Sequence, residues 1–426
     1  QNYCMYKYNK PRHGICGFVI GSGFFDLWQI MNEEHDMRKL MMDGMDVTND
    51  LLAFAQALVR IKSYSGQEEQ VARLIASKME ALKFDEVKID RYGNVLGRVG
   101  NGEKVILFDS HTDTVEVTDE DQWDVPPFRG EIMDGYLWGR GSVDMKSGAA
   151  ASIYAAAIAK SHGLLSDKTV FVSGTVDEEY CDGEGLKHML SESNIRPDYA
   201  VICEPSANTI TTGHKGKAQV IIRTEGISAH GSAPEMGLNA IYEMAEIIQR
   251  VEQTNLELSQ KGGMRSTLVM SQISSQSVSL NAVPSACEVY LDRRMVVGET
   301  EQTIQDEMQR IIADKNAAWE IGTLHRKTWT GEELTYEPFH LAWEISLHHD
   351  LTKAFIEAYN QTFGHAPDKY DYWDFSTNAV AVVRLGIPTI GFGPGEYKLA
   401  HMRNEKCEVS QIVDACAVYT RVIDKL

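Results

Sequence analysis

From about residue 47 onward, apolar side chains recur in two ways, and the two alternate along the chain. In TNDLLAFAQALVR (48–60) and EEQVARLIASKMEAL (68–82) they return every three to four residues, which predicts amphipathic helices. VILF, TVFVSGTV, YAVIC and PTIGF are short unbroken apolar runs, which predict strands buried on both faces. Helices alternating with such strands describe a layered α/β domain. Each strand leads into polar residues able to bind a metal: VILF into His111, TVFVSGTV into Glu178 and Glu179, YAVIC into Glu204, and PTIGF into the loop bearing His401. Ligands of open α/β sheets gather at the carboxyl ends of the strands, so one crevice could collect all of these groups.

Between about residues 213 and 330 the order changes. KAQVIIRT, a helix from Leu238 to Val251, TLVMSQI, CEVYLDRR, a helix from Glu301 to Ile312 and a last strand near IGTLHRK spell βαββαβ, the split βαβ pattern of a ferredoxin-like domain. The first style resumes with LTKAFIEAY and the strand before His401, so the second domain is expected to be an insertion. The expected organisation is therefore an extension over 1–45, one domain from 46–212 and 331–426, and an inserted domain over 213–330.

Composition narrows the function classes. The 426 residues are 43% hydrophobic and 24% charged, as in an ordinary globular protein. A formal charge of −20, from 41 basic and 61 acidic side chains, excludes a positive footprint for nucleic acid or an anionic membrane. Seven scattered cysteines without Cys-x-x-Cys spacing indicate neither a disulfide framework nor a thiolate zinc site, and a reducing cytoplasm is expected. The run ICGFVIGSGFF (15–25) loosely resembles a signal peptide but lacks a small-x-small cleavage site and is too short to span a bilayer.

The candidate chemistry lies in five short motifs: H111-T-D113, G139-R-G-S-V-D144-M-K, V-D-E178-E179, C-E204-P and A-H401. A metal-bound imidazole commonly gives its other N–H to a carboxylate, and Asp113 is spaced for that task beside His111. Asp144, on a glycine-rich turn before an alanine-rich helix, is placed either to bridge two ions or to cap that helix. Glu178 and Glu179 are adjacent on an extended chain and point opposite ways. One can therefore ligate a metal while the other, for which Glu178 suits, takes a proton from a metal-activated water. Glu204 and His401 would complete one ligand set per metal.

In these motifs the chain resembles the dinuclear zinc aminoacylases, deacylases and carboxypeptidases, among them succinyl-diaminopimelate desuccinylase, acetylornithine deacetylase and glutamate carboxypeptidase. The likeness runs from about residue 47 to the end. It implies a catalytic domain with a mixed sheet and an inserted ferredoxin-like lid through which the enzyme forms a homodimer. It also implies two zinc ions, one held by His111 and Glu204, the other by Glu179 and His401, with Asp144 between them. Glu178 would be the general base and Asp113 the carboxylate that orients His111. G226-I-S-A-H230-G-S-A-P234 is similar to the family's lid motif, whose histidine, here His230, stabilises the oxyanion and often comes from the partner subunit. Asn281 in SLNAVP and Arg294 in LDRR match positions that contact the substrate's carbonyl and carboxylate. The tracts DYWDFSTNAV and AHMRNE look closest to a subgroup of hydrolases linked to selenium metabolism, a label that names no substrate. Desuccinylases carry Gly-Thr-Ser-Asp where this chain has WDFSTN (373–378), which leaves Ser376 and Thr377 as carboxylate contacts.

The resulting expectation is a hydrolase that cleaves an amide next to a free carboxylate, in an N-acyl amino acid, by a metal-bound hydroxide. A dipeptidase or carboxypeptidase would use the same metal-binding residues, and a scaffold that holds metal without catalysis is the remaining alternative. Cobalt or manganese would suit the same ligands as zinc.

Overall fold

The computed structural model describes residues 40–426 apart from residue 261. Helices α1 (Thr48–Arg60) and α2 (Glu69–Ala81) form where apolar spacing predicts them. Strands β1 (Glu86–Ile89), β2 (Val95–Gly100) and β3 (Lys104–His111) follow, then α3 (Ser147–Ser161), β4 (Lys168–Thr175), α4 (Glu184–Ser193), β5 (Tyr199–Ile202) and β6 (Thr211–His214). The chain then departs through β7 (Gly216–Glu225), α5 (Ala240–Gln260), β8 (Thr267–Gln276), β9 (Ala286–Met295), α6 (Glu301–Ile312) and β10 (Ala317–Ile321). It returns as β11 (Trp343–Glu344), α7 (Asp350–Phe363), β12 (Asp371–Trp373), β13 (Thr389–Gly391) and α8 (Val409–Lys425).

The large sheet runs β11-β6-β13-β5-β3-β4-β2-β1, with β12 beside β6. Its middle strands, β13, β5, β3 and β4, are mutually parallel, and the outer neighbours β6 and β2 are antiparallel to them. Parallel strands covered on both faces must be apolar throughout, which is why these four stand out in the sequence. Their shared direction brings His111, Glu178, Glu204 and the His401 loop to one end of the sheet.

Helix α3 is buried at every residue from Ser147 to Ala159. Its alanines let it lie close to the sheet beneath α8 and α1, since a helix apolar on all sides is stable only when covered on all sides. Gly148 makes the closest approach: a Cβ there would stand 2.3 Å from the carbonyl oxygen of Cys203, the residue before Glu204. This contact fixes the start of α3, and the Asp144 turn before it, against the end of β5.

The smaller sheet is antiparallel in the order β8-β9-β7-β10, with α5 and α6 packed on one face around Val220, Ile222, Met244, Ile247, Leu291 and Met308. This is the ferredoxin-like βαββαβ order. Three details differ from expectation. Helix α5 extends to Gln260, well beyond Val251. The last strand is Ala317–Ile321 rather than IGTLHRK, because Gly322, packed against the ring of Tyr290, interrupts that tract. Leu324–Lys327 instead pairs with Glu333–Tyr336 in a hairpin that lies on the large layer, where Trp329 Nε1 donates to the Gly93 carbonyl at 3.3 Å.

Phe339 and His340 still pair with β7, and pairing with β6 begins at Trp343, so the chain rejoins the large sheet about ten residues later than the expected 331. At the other end, Leu40 is buried and its carbonyl accepts the Val47 N–H at 2.8 Å, so residues 40–46 belong to the fold. Residues 1–39 of the expected extension, with the apolar run 15–25, lie outside the described residues. Among the described residues no helix is long and apolar enough to cross a membrane, and the five cysteines are buried free thiols.

Two ion pairs pin the passage between the layers. Lys215 Nζ lies 2.6 Å from Asp374, and Lys217 Nζ lies 2.8 and 2.7 Å from the two oxygens of Asp182. The overlap at Gly148 predicts that Gly148→Ala lowers stability by about 1–3 kcal/mol through forced backbone movement, measured by denaturant unfolding, whereas Gly262→Ala, with open space at its Cβ and no left-handed backbone, is much milder.

Candidate metal centre

Asp144 is the midpoint of the site. It lies in the irregular segment Ser142–Lys146, after Gly141, whose φ of 83° sets the turn. It does not cap α3, whose N-cap is Lys146. Its two oxygens instead face two imidazoles: Oδ1 is 2.8 Å from His111 Nε2, and Oδ2 is 3.1 Å from His401 Nε2. Glu204 Oε1 lies 3.6 Å from His111 Nε2, and Glu179 Oε2 lies 2.9 Å from His401 Nε2. Two sets result, His111–Asp144–Glu204 and Asp144–Glu179–His401, each with ligand atoms within 4.8 Å of one another and with Asp144 in common. Glu178 Oε2 stands 4.0 Å from His111 Nε2, beside the first set but outside both.

The backbone beneath these groups is held by buried carboxylates. Asp113 was expected to orient His111 through its side chain. That carboxylate lies 3.6 Å from Nδ1, beyond hydrogen-bond reach, and the Asp113 carbonyl oxygen takes the role at 3.0 Å. The side chain faces the other way and accepts the N–H groups of Glu178 and Glu179, both at 3.1 Å, with Ser65 Oγ donating at 2.6 Å. Its oxygens are thus committed to positioning the Glu-Glu pair.

Glu405 does the same for Asp144: it accepts the N–H groups of Val143 and Asp144 at 2.8 and 3.1 Å and pairs with Arg140 at 2.5 Å. Glu405 stands in AHMRNE, and nothing in its spacing marks it as a residue that positions the site. Asn378, also missed, is fully committed inside the sheet end: it donates to Asp109 and Thr175 and accepts the Gly183 N–H at 2.7 Å.

The electrostatics show what the donor set lacks. Burial, then the charge of Asp144, pushes Glu179 up to about 7. Glu204 is raised well above the usual carboxylate range by the same two causes, in the same order. Burial raises Glu178 likewise, with Glu204 adding to it against the pull of His111. Hydrogen bonds to Asp144 and Glu179 hold His401 up at about 10. Carboxylates buried this closely need added positive charge, and imidazole with carboxylate oxygens is a donor set that divalent zinc, cobalt or manganese accepts. The residues present fit a pair of divalent ions.

The adjoining pocket has a volume of 270 Å³ and is lined by Asp144, Glu178, Glu179, Glu204 and His401 on one side and by Asp182, Lys217, Arg294, Phe375, Ser376 and Tyr397 on the other. Arg294 and Lys217 are register partners on β9 and β7, so they project side by side from the lid sheet. Arg294 is braced by Asp292 at 2.7 and 3.0 Å. Burial acts to raise the Asp182 carboxyl, but the Lys217 ammonium outweighs it and holds it at about 2.

Three expected substrate or catalytic residues lie elsewhere. Thr377 is fully buried and its hydroxyl accepts the Ala379 N–H at 3.1 Å, so it faces away from the pocket. His230 is exposed, with Nδ1 2.7 Å from Ser232 Oγ. Asn281 is exposed beside it, its carbonyl accepting the Gly231 N–H at 2.6 Å. Neither lines the pocket of this chain.

Residues 107–425 match peptidase family M20/M25/M40. The chain belongs to this family. It is similar to the Escherichia coli K12 protein YgeY, with 38% identity over 90% of this chain and 96% of that one. It is also similar to succinyl-diaminopimelate desuccinylase of Corynebacterium glutamicum, with 28% identity over 91% of this chain and all of that one. Among solved structures, aminopeptidase PepT from Bacillus cereus has the same fold, with a TM-score of 0.68 at 20% identity over 89% of this chain and 98% of that one. So does Bacillus subtilis YXEP, described as a dinuclear metal binding peptidase, with a TM-score of 0.61 at 14% identity over 88% and 97%. As an M20 member the protein is a metal-dependent hydrolase of amide or peptide bonds, with a catalytic layer and a lid.

Because Glu405 holds the Asp144 turn from behind without entering either ligand set, Glu405→Ala is expected to lower metal affinity about 10–100-fold while the protein stays folded. Competition with a chromogenic chelator measures this, and unchanged affinity would show that the turn is held by other means.

Proposed function

We propose that the protein is a dinuclear amidohydrolase that removes the acyl group from a small N-acyl amino acid. The observation that carries this reading is a shared aspartate between two imidazole–carboxylate sets, with an uncommitted carboxylate, Glu178, beside them and the guanidinium of Arg294 across a small pocket. His111 and Glu204 would hold one ion, Glu179 and His401 the other, and Asp144 both; zinc is the metal we assign. Bound there, the ions would acidify a water molecule and polarise the scissile carbonyl.

The chain's own residues supply the rest. Arg294, whose planar fork suits a carboxylate, and Ser376 hold the free carboxylate of the substrate and so place the amide at the ligand cluster. Glu178 accepts the proton of the attacking water at Oε2 and returns it to the leaving nitrogen. Its burial suits it to carry a proton between these steps. A dipeptidase or carboxypeptidase reading shares every one of these roles and differs in the group on the far side of the scissile bond.

His230 and Asn281 do not line the pocket of this chain and sit together on an exposed edge. Close by, the edge strand β8 exposes Val269 and Ile273, and the turn after it exposes Val278 and Leu280. An open edge with apolar side chains favours pairing with another strand. We therefore assign a homodimer formed through the lid, in which the partner's His230 and Asn281 complete each site. A reducing cytoplasm is the compartment that suits the free buried thiols.

Glu178→Gln should keep both metals, measured by elemental analysis, and lose about 10²–10⁴ in kcat on its best N-acyl amino acid; wild-type turnover would remove Glu178 as the base. Glu178→Gln and His230→Ala should each be inactive alone. Mixed with subunit exchange, they should recover roughly a quarter of wild-type activity if His230 acts across a two-fold dimer, and none if it acts within one chain.

A further inference from the structure

The pocket beside the metal centre adjoins a second space at Asp182. Asp182 lines both this 270 Å³ pocket and a second cavity of 630 Å³ beyond it, bounded by Leu190, Ile195, Val380, Arg384 and Leu385. That cavity continues past His340 and Arg384 along the seam between the catalytic layer and the lid. Asp182 is the residue common to the two spaces, and Lys217 Nζ, on the metal-centre side, lies 2.8 and 2.7 Å from its two oxygens, with both side chains less than a tenth exposed.

The divider is rigid for reasons in the chain itself. Lys217 is fixed by its place in β7, in register with Arg294, so the two cations stand side by side on one wall. Asp182 precedes Gly183, whose φ is 78° and whose N–H is held by the buried Asn378. Parting the ion pair would leave an uncompensated buried charge on each side, a strongly unfavourable state.

We infer that the Asp182–Lys217 pair is the end wall of the substrate pocket and sets its length at one residue and its carboxylate beyond the scissile amide. A substrate whose carboxylate reaches Arg294 has Lys217 beside that carboxylate, and a chain extended by a further residue would have to displace the pair. This rests on the amidohydrolase reading, which supplies the direction in which the substrate lies.

Two double variants separate volume from charge. Asp182→Ala with Lys217→Ala removes the wall, whereas Asp182→Leu with Lys217→Met keeps its bulk without its charge, an exchange that buried ion pairs often tolerate. The zinc-loaded proteins are assayed for acetate release from an N-acetyl amino acid and from the matching N-acetyl dipeptide, with circular dichroism and metal content as controls for folding. The ratio of kcat/KM for the dipeptide to that for the amino acid should rise at least tenfold in the alanine pair and stay near wild type in the Leu/Met pair. An unchanged ratio in a folded, metal-replete alanine pair overturns the wall, as does an equal rise in both variants. If the wild type hydrolyses neither compound, it is the functional reading that fails. The wall is then judged by calorimetric titration with the same two compounds: tighter relative binding of the dipeptide by the alanine pair alone supports it, and equal preference in all three proteins overturns it.

Discussion

The site depends on one constraint: several carboxylates are buried within a few ångströms of one another and must share positive charge. Glu178, Glu179 and Glu204 are all driven toward their neutral forms by burial, while Asp144 first, and then these carboxylates, draw the two histidines toward their cationic forms. An arrangement so poorly balanced in the protein alone costs stability and persists only if the backbone holds it. Asp113 and Glu405 provide that hold, each accepting two consecutive backbone N–H groups from a segment that carries a ligand. The acidic groups at the centre are therefore positioned by other acidic groups just behind them.

The fold meets this demand with a parallel core. Four strands pointing the same way deliver their ends to one edge, and α3 brings the Asp144 turn to meet them. The alanine content of α3 and the absent side chain at Gly148 allow the helix and β5 to come close enough for Asp144 and Glu204 to approach the same imidazole. Packing density near the sheet end thus sets the distances at the site.

Much of this was legible in the sequence because local pattern and global position agree there. A strand covered on both faces must be apolar, so the four central strands and the residues that end them could be read directly. The lid's helices and strand order were legible for the same reason. What escaped was fixed by register and by contacts distant in sequence. Lys217 enters the pocket because it lies opposite Arg294 across two strands, and no spacing within KAQVIIRT reports that. Asp113 sits at the expected position, but the backbone turns its carboxylate to the Glu-Glu pair and leaves its carbonyl for His111. Thr377 neighbours a pocket residue but faces inward, and IGTLHRK reads as one strand although Gly322 divides it.

The order in which the ligands appear along the chain also bears on synthesis. His111, Asp144, Glu179 and Glu204 precede the lid, and His401 follows it, as does β13, which must pair between β5 and β6. A ribosome adding residues at ordinary speed needs roughly ten to forty seconds to travel from Glu204 to His401. During that interval the lid, which has its own core, can fold, while β5 lacks its neighbour and the second ligand set is one histidine short. The nascent chain therefore passes through a stage with an open sheet edge and an uncompensated acidic cluster, and both are resolved together when the last quarter of the sequence emerges.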